Sequence, residues 1–308
     1  MKAGWVAATV RARNLAQRRV GAGRCHQCAT TANLSRALTL LTDSSYSEPL
    51  TGVTTLAAAQ RATRETLLWQ LRVLAGWLPP GGTGLVRAAA GAYERDNIVA
   101  LARHLAGGAA APAPYDVGGL ATAWPRLRGQ TTAPGLAEAL RRSPWGTPGA
   151  VDLGGLGDVL TLVWLRRLAS AAPSAQVWTR SAGVLLACRL RLVDDVAPSA
   201  RVLSLIHPWL GREWEGAQNL AGFRAALPGP ARTILEGVVD PSDLWRAEAR
   251  LRVEVEADGL RLLRRPLPGP DVVLGAIAVL AIDGWRLRAA LAAADAGTGS
   301  SEVLDAVA

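Results

Sequence analysis

Two thiols three residues apart, in Cys25-His26-Gln27-Cys28, are the most suggestive local constellation in this chain. Thiolates at that spacing form half of a four-ligand zinc site or cycle as a dithiol pair. A structural zinc site needs a second pair, and only Cys188, His104 and His207 remain, each isolated in the sequence. A thioredoxin-like motif needs a βαβ setting that the surrounding pattern lacks. The pair therefore reads as two buried or half-buried thiols near a helix end, with no metal or cofactor expected.

Other chemistries are excluded more simply. A phosphate-cradling G-x-x-x-x-G-K-[ST] loop needs its lysine, and the only lysine is Lys2. Gly81-Gly82-Thr83-Gly84 follows two prolines where a strand should stand, which makes it a turn. The three histidines form no H-E-x-x-H pair, and no G-x-S-x-G elbow occurs. Asp194-Asp195 has no partner carboxylates at a useful spacing and reads as solvated charge at a helix end. No residue is expected to be catalytic.

The elements that must carry these residues are helical. Of 308 residues, half are apolar, mostly Ala and Leu, with one Phe and three Tyr. Strand-favouring residues are scarce and helix formers abundant, so an all-α fold is expected. Trp5, Ala8, Ala12 and Leu15 make one face of a first helix, with Arg11 and Arg18 opposite. Leu67, Leu71, Leu74 and Leu78 make a second face, stopped by Pro79-Pro80-Gly81-Gly82. Leu156, Leu160, Trp164 and Leu168 make a third, stopped by Pro173. The alternation Arg252 to Asp258 suits either a short strand or a helix; helix is favoured because it continues an amphipathic pattern without a turn. Asp240 or Ser242 is the expected cap before Leu244, and Asp271 the expected N-cap of the last helix, with Gly297 to Ser301 a frayed tail.

A pattern recurs at roughly ninety residues: an apolar helix face, an arginine and a closing glycine. It runs from Tyr93 through Asp96, Asn97, Ile98, Leu101 and Arg103 to Gly107, and again from Ile282 through Asp283, Arg286, Leu287, Arg288 and Leu291 to Gly297. A middle copy, Leu185 to Arg191, is recognisable by position and apolarity alone. With the breakers, this divides the chain into three helical lobes, residues 1–110, 111–199 and 200–308.

Charge follows sequence unevenly. The net charge is +9, with residues 1–110 holding 13 basic and 5 acidic side chains, 111–199 holding 9 and 6, and 200–308 holding 12 and 14. Lys2, Arg11, Arg13, Arg18, Arg19, Arg24 and Arg36 all precede the first acid, Asp43, so a surface attracting an anionic partner and an ordinary solvated helix face are both open. Nucleic-acid binding is the alternative that a pI near 10.7 raises. Its usual signature, basic residues interleaved with exposed aromatics or set on a recognition helix, is missing. The longest apolar run, Val272 to Ile282, is shorter than the roughly 18 residues of a membrane span and is expected to be a buried helix. No secretory signal is evident, and three cysteines without one point to a reducing cytoplasm.

Taken in order, several motifs resemble the C-type central-stalk component of the bacterial and archaeal V/A-type rotary ATPases, the relative of the d-type component of the vacuolar enzyme. Trp5 to Arg13, with Arg11 and Arg13 in its A-R-v-R element, is similar to the family's opening helix. Leu38, Leu41, Thr42 and Tyr46 match its L-x-x-L-[ST]-x-x-x-Y element, and Asp96, Asn97, Ile98, Leu101, Arg103 and Gly107 its D-x-N-[IL] helix. Asp243, Leu244 and Leu251, then Asp283, Trp285, Arg286 and Leu287, resemble the closing helices, with Asp283 where the family more often has Glu. The middle lobe departs: Ser181 to Leu185 stand where an acid and Asn are expected. The resemblance implies an all-α, funnel-like body of three lobes about a pseudo-threefold axis, peripheral on the cytoplasmic face of the cell membrane. It implies one copy per complex, seated between the shaft subunits of D and F type and the ion-carrying membrane ring, with no catalysis, cofactor or nucleic acid. The basic residues Arg11, Arg13, Arg18 and Arg19 are the expected contact to acidic groups of the shaft or ring, and Arg288 joins them as a candidate.

Overall fold

The computed structural model describes residues 3–149 and 155–298, and every regular element among them is a helix or a short 3-10 turn. In chain order the helices are α1 (Val6–Gln17), α2 (Ala22–Ala29), α3 (Leu34–Thr39), α4 (Ser47–Leu50), α5 (Leu56–Ala75), α6 (Thr83–Leu105), α7 (Trp124–Leu127), α8 (Ala133–Arg141), α9 (Leu156–Ala171), α10 (Gln176–Leu192), α11 (Ala200–Leu210), α12 (Leu220–Ala226), α13 (Gly229–Arg232), α14 (Leu244–Leu263) and α15 (Pro270–Ala296). The ambiguous Arg252 to Asp258 lies inside α14 and is helical. Asp240 accepts the Ser242 N–H at 2.8 Å and caps the 3-10 turn that leads into α14. Asp271 is not an N-cap: α15 starts one residue earlier at Pro270 with Gly269 in the cap position, so Asp271 supplies first-turn charge instead. The expected tail reaches beyond the described residues after Thr298, where Gly297 closes α15 at φ +64°.

From sequence, boundaries are expected near 110 and 199. The contacts group the chain into two compact units, residues 1–86 with 252–308 and residues 87–251, whose divisions fall inside α6 and α14. Pairing of the chain's two ends is a long-range property that composition and breakers do not encode. It also redistributes charge: the first unit's residues carry 16 basic and 11 acidic side chains, a net +5, and the second's carry 18 and 14, a net +4.

In the first unit, α15 is the hub. It packs against α1, α2, α3 and α5, and every residue from Val272 to Leu280 is buried. A helix apolar on all sides is covered on all sides, which is how Val272 to Leu280 are used here, with Ala281 exposed just beyond. Among the described residues no helix is long and apolar enough to cross a membrane. Two glycines permit the close approaches. A Cβ on Gly275 would stand 2.5 Å from the Gly259 carbonyl oxygen and 2.9 Å from the Leu263 nitrogen, and one on Gly284 would stand 2.3 Å from a Leu67 methyl. Leu67 can turn aside, but the α14 backbone cannot. Gly275→Ala is therefore expected to destabilise by about 1–3 kcal/mol, at the upper end of that range, and more than Gly284→Ala, as measured by thermal unfolding. Arg13 closes the end of α14, its Nε donating to the Leu263 carbonyl at 3.1 Å and Nη2 to that of Arg265 at 2.7 Å.

In the second unit, α9, α10 and α11 share one core with Trp145, Trp214 and Phe223, the last two in an edge contact 5.9 Å between centroids. Asp194 and Asp195 sit at the α10 end near Arg189 and Arg191, at 3.3 and 3.7 Å.

Candidate functional site

Two acids stand on apolar helix faces, one in each unit, and each holds the backbone of a segment far away in sequence. In the second unit, Glu94 of α6 is 1 % exposed. Its Oε1 accepts the N–H groups of Thr122, Ala123 and Trp124 at 2.9, 2.6 and 2.6 Å. Its Oε2 accepts the Thr122 hydroxyl and, at 3.3 Å, the Trp145 indole N–H. These N–H groups lie at the start of α7, whose first turn lacks intrahelical partners, so Glu94 acts as an N-cap supplied from another helix. Arg167 covers the site, 4.9 Å from the Trp145 ring centroid and 3.4 Å from the Thr122 hydroxyl. Burial lowers its pKa, and the Glu94 charge opposes that. One turn along, Asn97 is 3 % exposed and makes a paired bond to Tyr115, Nδ2 to the carbonyl at 2.9 Å and Oδ1 from the N–H at 2.7 Å.

In the first unit, Asp283 of α15 is fully buried and accepts the N–H groups of Gly21 and Val20 at 2.7 and 3.0 Å, just before α2. Burial raises its pKa, against the pull of these N–H groups and of Arg286 and Arg19. Three residues on, Arg286 is 3 % exposed and forks onto Glu256 at 2.5 and 3.2 Å. Burial alone would lower the Arg286 pKa, but Glu256, with Cys25 and Asp283, outweighs it and the group ends above its ordinary value. The two clamps share a register: acid, buried polar side chain at i+3 (Asn97, Arg286), fully buried apolar at i+4 (Ile98, Leu287), buried small or apolar at i+8 (Ala102, Leu291).

The candidates named from sequence separate into inward and outward groups. Leu41 and Tyr46 are core, as are Asn97, Asp283 and Arg286. Asp96 is half-buried against Arg95 at 2.7 Å, and Arg13 is spent on α14. Trp5 is half-buried over the turn at Gly82, with its ring edge 3.1 Å from where a Cβ there would stand. Arg11, Arg19 and Arg288 are half-buried, whereas Arg18 and Arg103 are exposed. Glu94, Thr122, Trp145, Arg167 and Glu256 were not found from sequence.

What the clamps do chemically is limited by how fully they are engaged. Both carboxylates are occupied by N–H donors and closed to solvent, so neither reaches a substrate. The thiols are likewise inward: Cys25, Cys28 and Cys188 are buried and free. Burial pushes the Cys28 thiol up to about 11 and Cys188 to about 12, and Cys25 rises too, from burial first and then from Asp283 and Cys28. Among the described residues no three His, Cys, Asp or Glu side chains converge as a metal site. Because the thiolate is the reactive form, the native chain is expected to leave all three cysteines unmodified by a thiol reagent at pH 7 and to expose them on denaturation. Rapid labelling of one in the native state would show that its helix opens. Comparison with protein-family models and with curated proteins finds no match for this chain.

Proposed function

We propose that this chain is a non-catalytic coupling subunit of a V/A-type rotary ATPase, a socket between the D- and F-type shaft subunits and the ion-carrying membrane ring. In this reading it is a three-lobed, funnel-like body, present once per complex and peripheral on the cytoplasmic face of the membrane. It binds no cofactor or nucleic acid and passes torque between ATP chemistry and proton or sodium transport elsewhere in the complex.

The observation that supports it best is the order of the two clamps along the chain. Glu94, near the end of residues 1–110, holds Thr122 to Trp124, near the start of the next stretch. Asp283, near the end of residues 200–308, holds Val20 and Gly21, near the start of the first. A repeat whose last copy grips its first is what a closed ring of repeats requires, whereas an open stack leaves its ends ungripped. The middle helix α10 has no acid at all, and its partner segment is held by Arg191 Nε donating to the Glu215 carbonyl at 3.1 Å. A body locked by buried hydrogen bonds is suited to turning as one piece.

Affinity purification of the tagged chain from mildly solubilised membranes of its own host tests this reading. Recovery of catalytic head, shaft and ring subunits is the expected result; recovery alone, or with nucleic acid, overturns it. Reversing the exposed Arg18 and Arg36 is expected to weaken that recovery at low salt while leaving helicity intact, because rim charges act mainly on association. Reversing Arg13 is expected to cost folding stability as well, since it closes α14.

A further inference from the structure

Eighteen residues, 106–123, separate α6 from α7, with only the 3-10 turn Gly118–Leu120 regular among them, a longer connection than compact domains usually leave without a use. Their attachment is uneven. Residues 106–114 are exposed. They begin at Gly107, with φ +86°, and Gly108, where a Cβ would stand 2.7 Å from the Arg103 carbonyl oxygen. From Tyr115 on, the segment is docked: Val117, Leu120 and Ala123 are 2, 6 and 3 % exposed, and Tyr115 lies edge-on to Tyr93, 5.4 Å between centroids. Glu94 and Asn97, on one face of α6, both hold it, and they differ in kind. Glu94 sets a carboxylate against several donors, whereas Asn97 makes two amide hydrogen bonds to one backbone residue, each weaker than a carboxylate bond.

The docked segment also builds a half-open hollow of about 350 Å³, lined by Tyr115, Asp116, Trp124 and Arg128 among others. Residues 114–121 line it on one side and Trp124, Pro125 and Arg128, in and just after α7, on the other, so it lasts only while the segment stays seated beside α7.

We infer that residues 109–121 are a strap that undocks from α6 as one unit, hinged at Gly107 and Gly108, retained at its far end by Glu94 and latched by Asn97. Undocking uncovers Tyr93 and Asn97 and dismantles the hollow. The inference concerns the second unit alone and stands whether or not the chain belongs to a rotary ATPase.

Native-state hydrogen exchange on the full chain tests it. The Tyr115, Val117, Leu120 and Ala121 amides, each hydrogen-bonded in the docked strap, are expected to share one protection level at least about tenfold below that of Leu162 and Leu186 in the core. In Asn97→Ala the four are expected to exchange about tenfold faster still, from the loss of two bonds, with Leu162 and Leu186 unchanged. Unrelated rates among the four, or rates that track the core in wild type and variant alike, overturn the strap. Should the variant not fold, the wild-type comparison decides by itself.

Discussion

Glu94→Ala is expected to lower the unfolding free energy by about 3–5 kcal/mol, seen in urea as an earlier midpoint by tryptophan fluorescence and circular dichroism. The size follows from what is left behind. Three N–H groups, one hydroxyl and the Trp145 indole lose their acceptor at once, and Ala123 and Trp145 are 3 and 1 % exposed. Each donor stranded away from water costs about 1–3 kcal/mol, reduced where partial opening lets water in. Arg167 adds to the loss, because it is held near a carboxylate that is no longer there. Glu94→Gln separates shape from charge. It keeps one acceptor but turns an amide N–H₂ toward donors, so about half the loss is expected. A loss below about 1 kcal/mol for the alanine variant would mean that the α7 start simply hydrates and that the clamp does not hold the unit together.

How far this arrangement was legible depends on the range over which each signal acts. Breakers act locally, and α6 ends at Leu105 before Gly107 while α9 ends at Ala171 before Pro173, as the sequence suggests. The run Val272 to Ile282 is too short to span a bilayer and too apolar to face water, and it became the buried hub. The gathering of residues 1–86 with 252–308 had no such local sign. Nor did composition show which acids turn inward: in Tyr93-Glu94-Arg95-Asp96 three adjacent charges look alike. A sign was nevertheless present. Glu94, Ile98 and Ala102, like Asp283, Leu287 and Leu291, stand at i, i+4 and i+8, so each acid lies on an apolar stripe where burial demands a partner. The motif residues Asp96 and Asn97 point just past the buried acid, which precedes them in the helix. Which backbone that acid would meet, 28 or 262 residues away, only the fold decides.

Asp283→Asn is expected to show its largest deficit at low pH. Burial raises the Asp283 pKa above its ordinary value near about 3.9, so as pH rises the unfolded chain releases this proton first. The stability linked to the group is complete below the ordinary value and is lost as pH climbs through the raised one. A tenfold difference in the acid's dissociation constant between folded and unfolded chain is worth about 1.4 kcal/mol. Asparagine does not titrate, and its amide nitrogen faces the N–H of Val20 or Gly21, a mismatch of about 1–3 kcal/mol that does not vary with pH. The wild-type advantage should therefore shrink from about pH 3 upward and level off once Asp283 is ionised in the fold. Groups that titrate alike in both proteins cancel in the difference, so paired urea titrations across this range isolate Asp283. An advantage that grew with pH would mean that the two N–H groups, Arg286 and Arg19 outweigh burial, making α15 and the α2 start a charge-held joint instead of one that tolerates its charge.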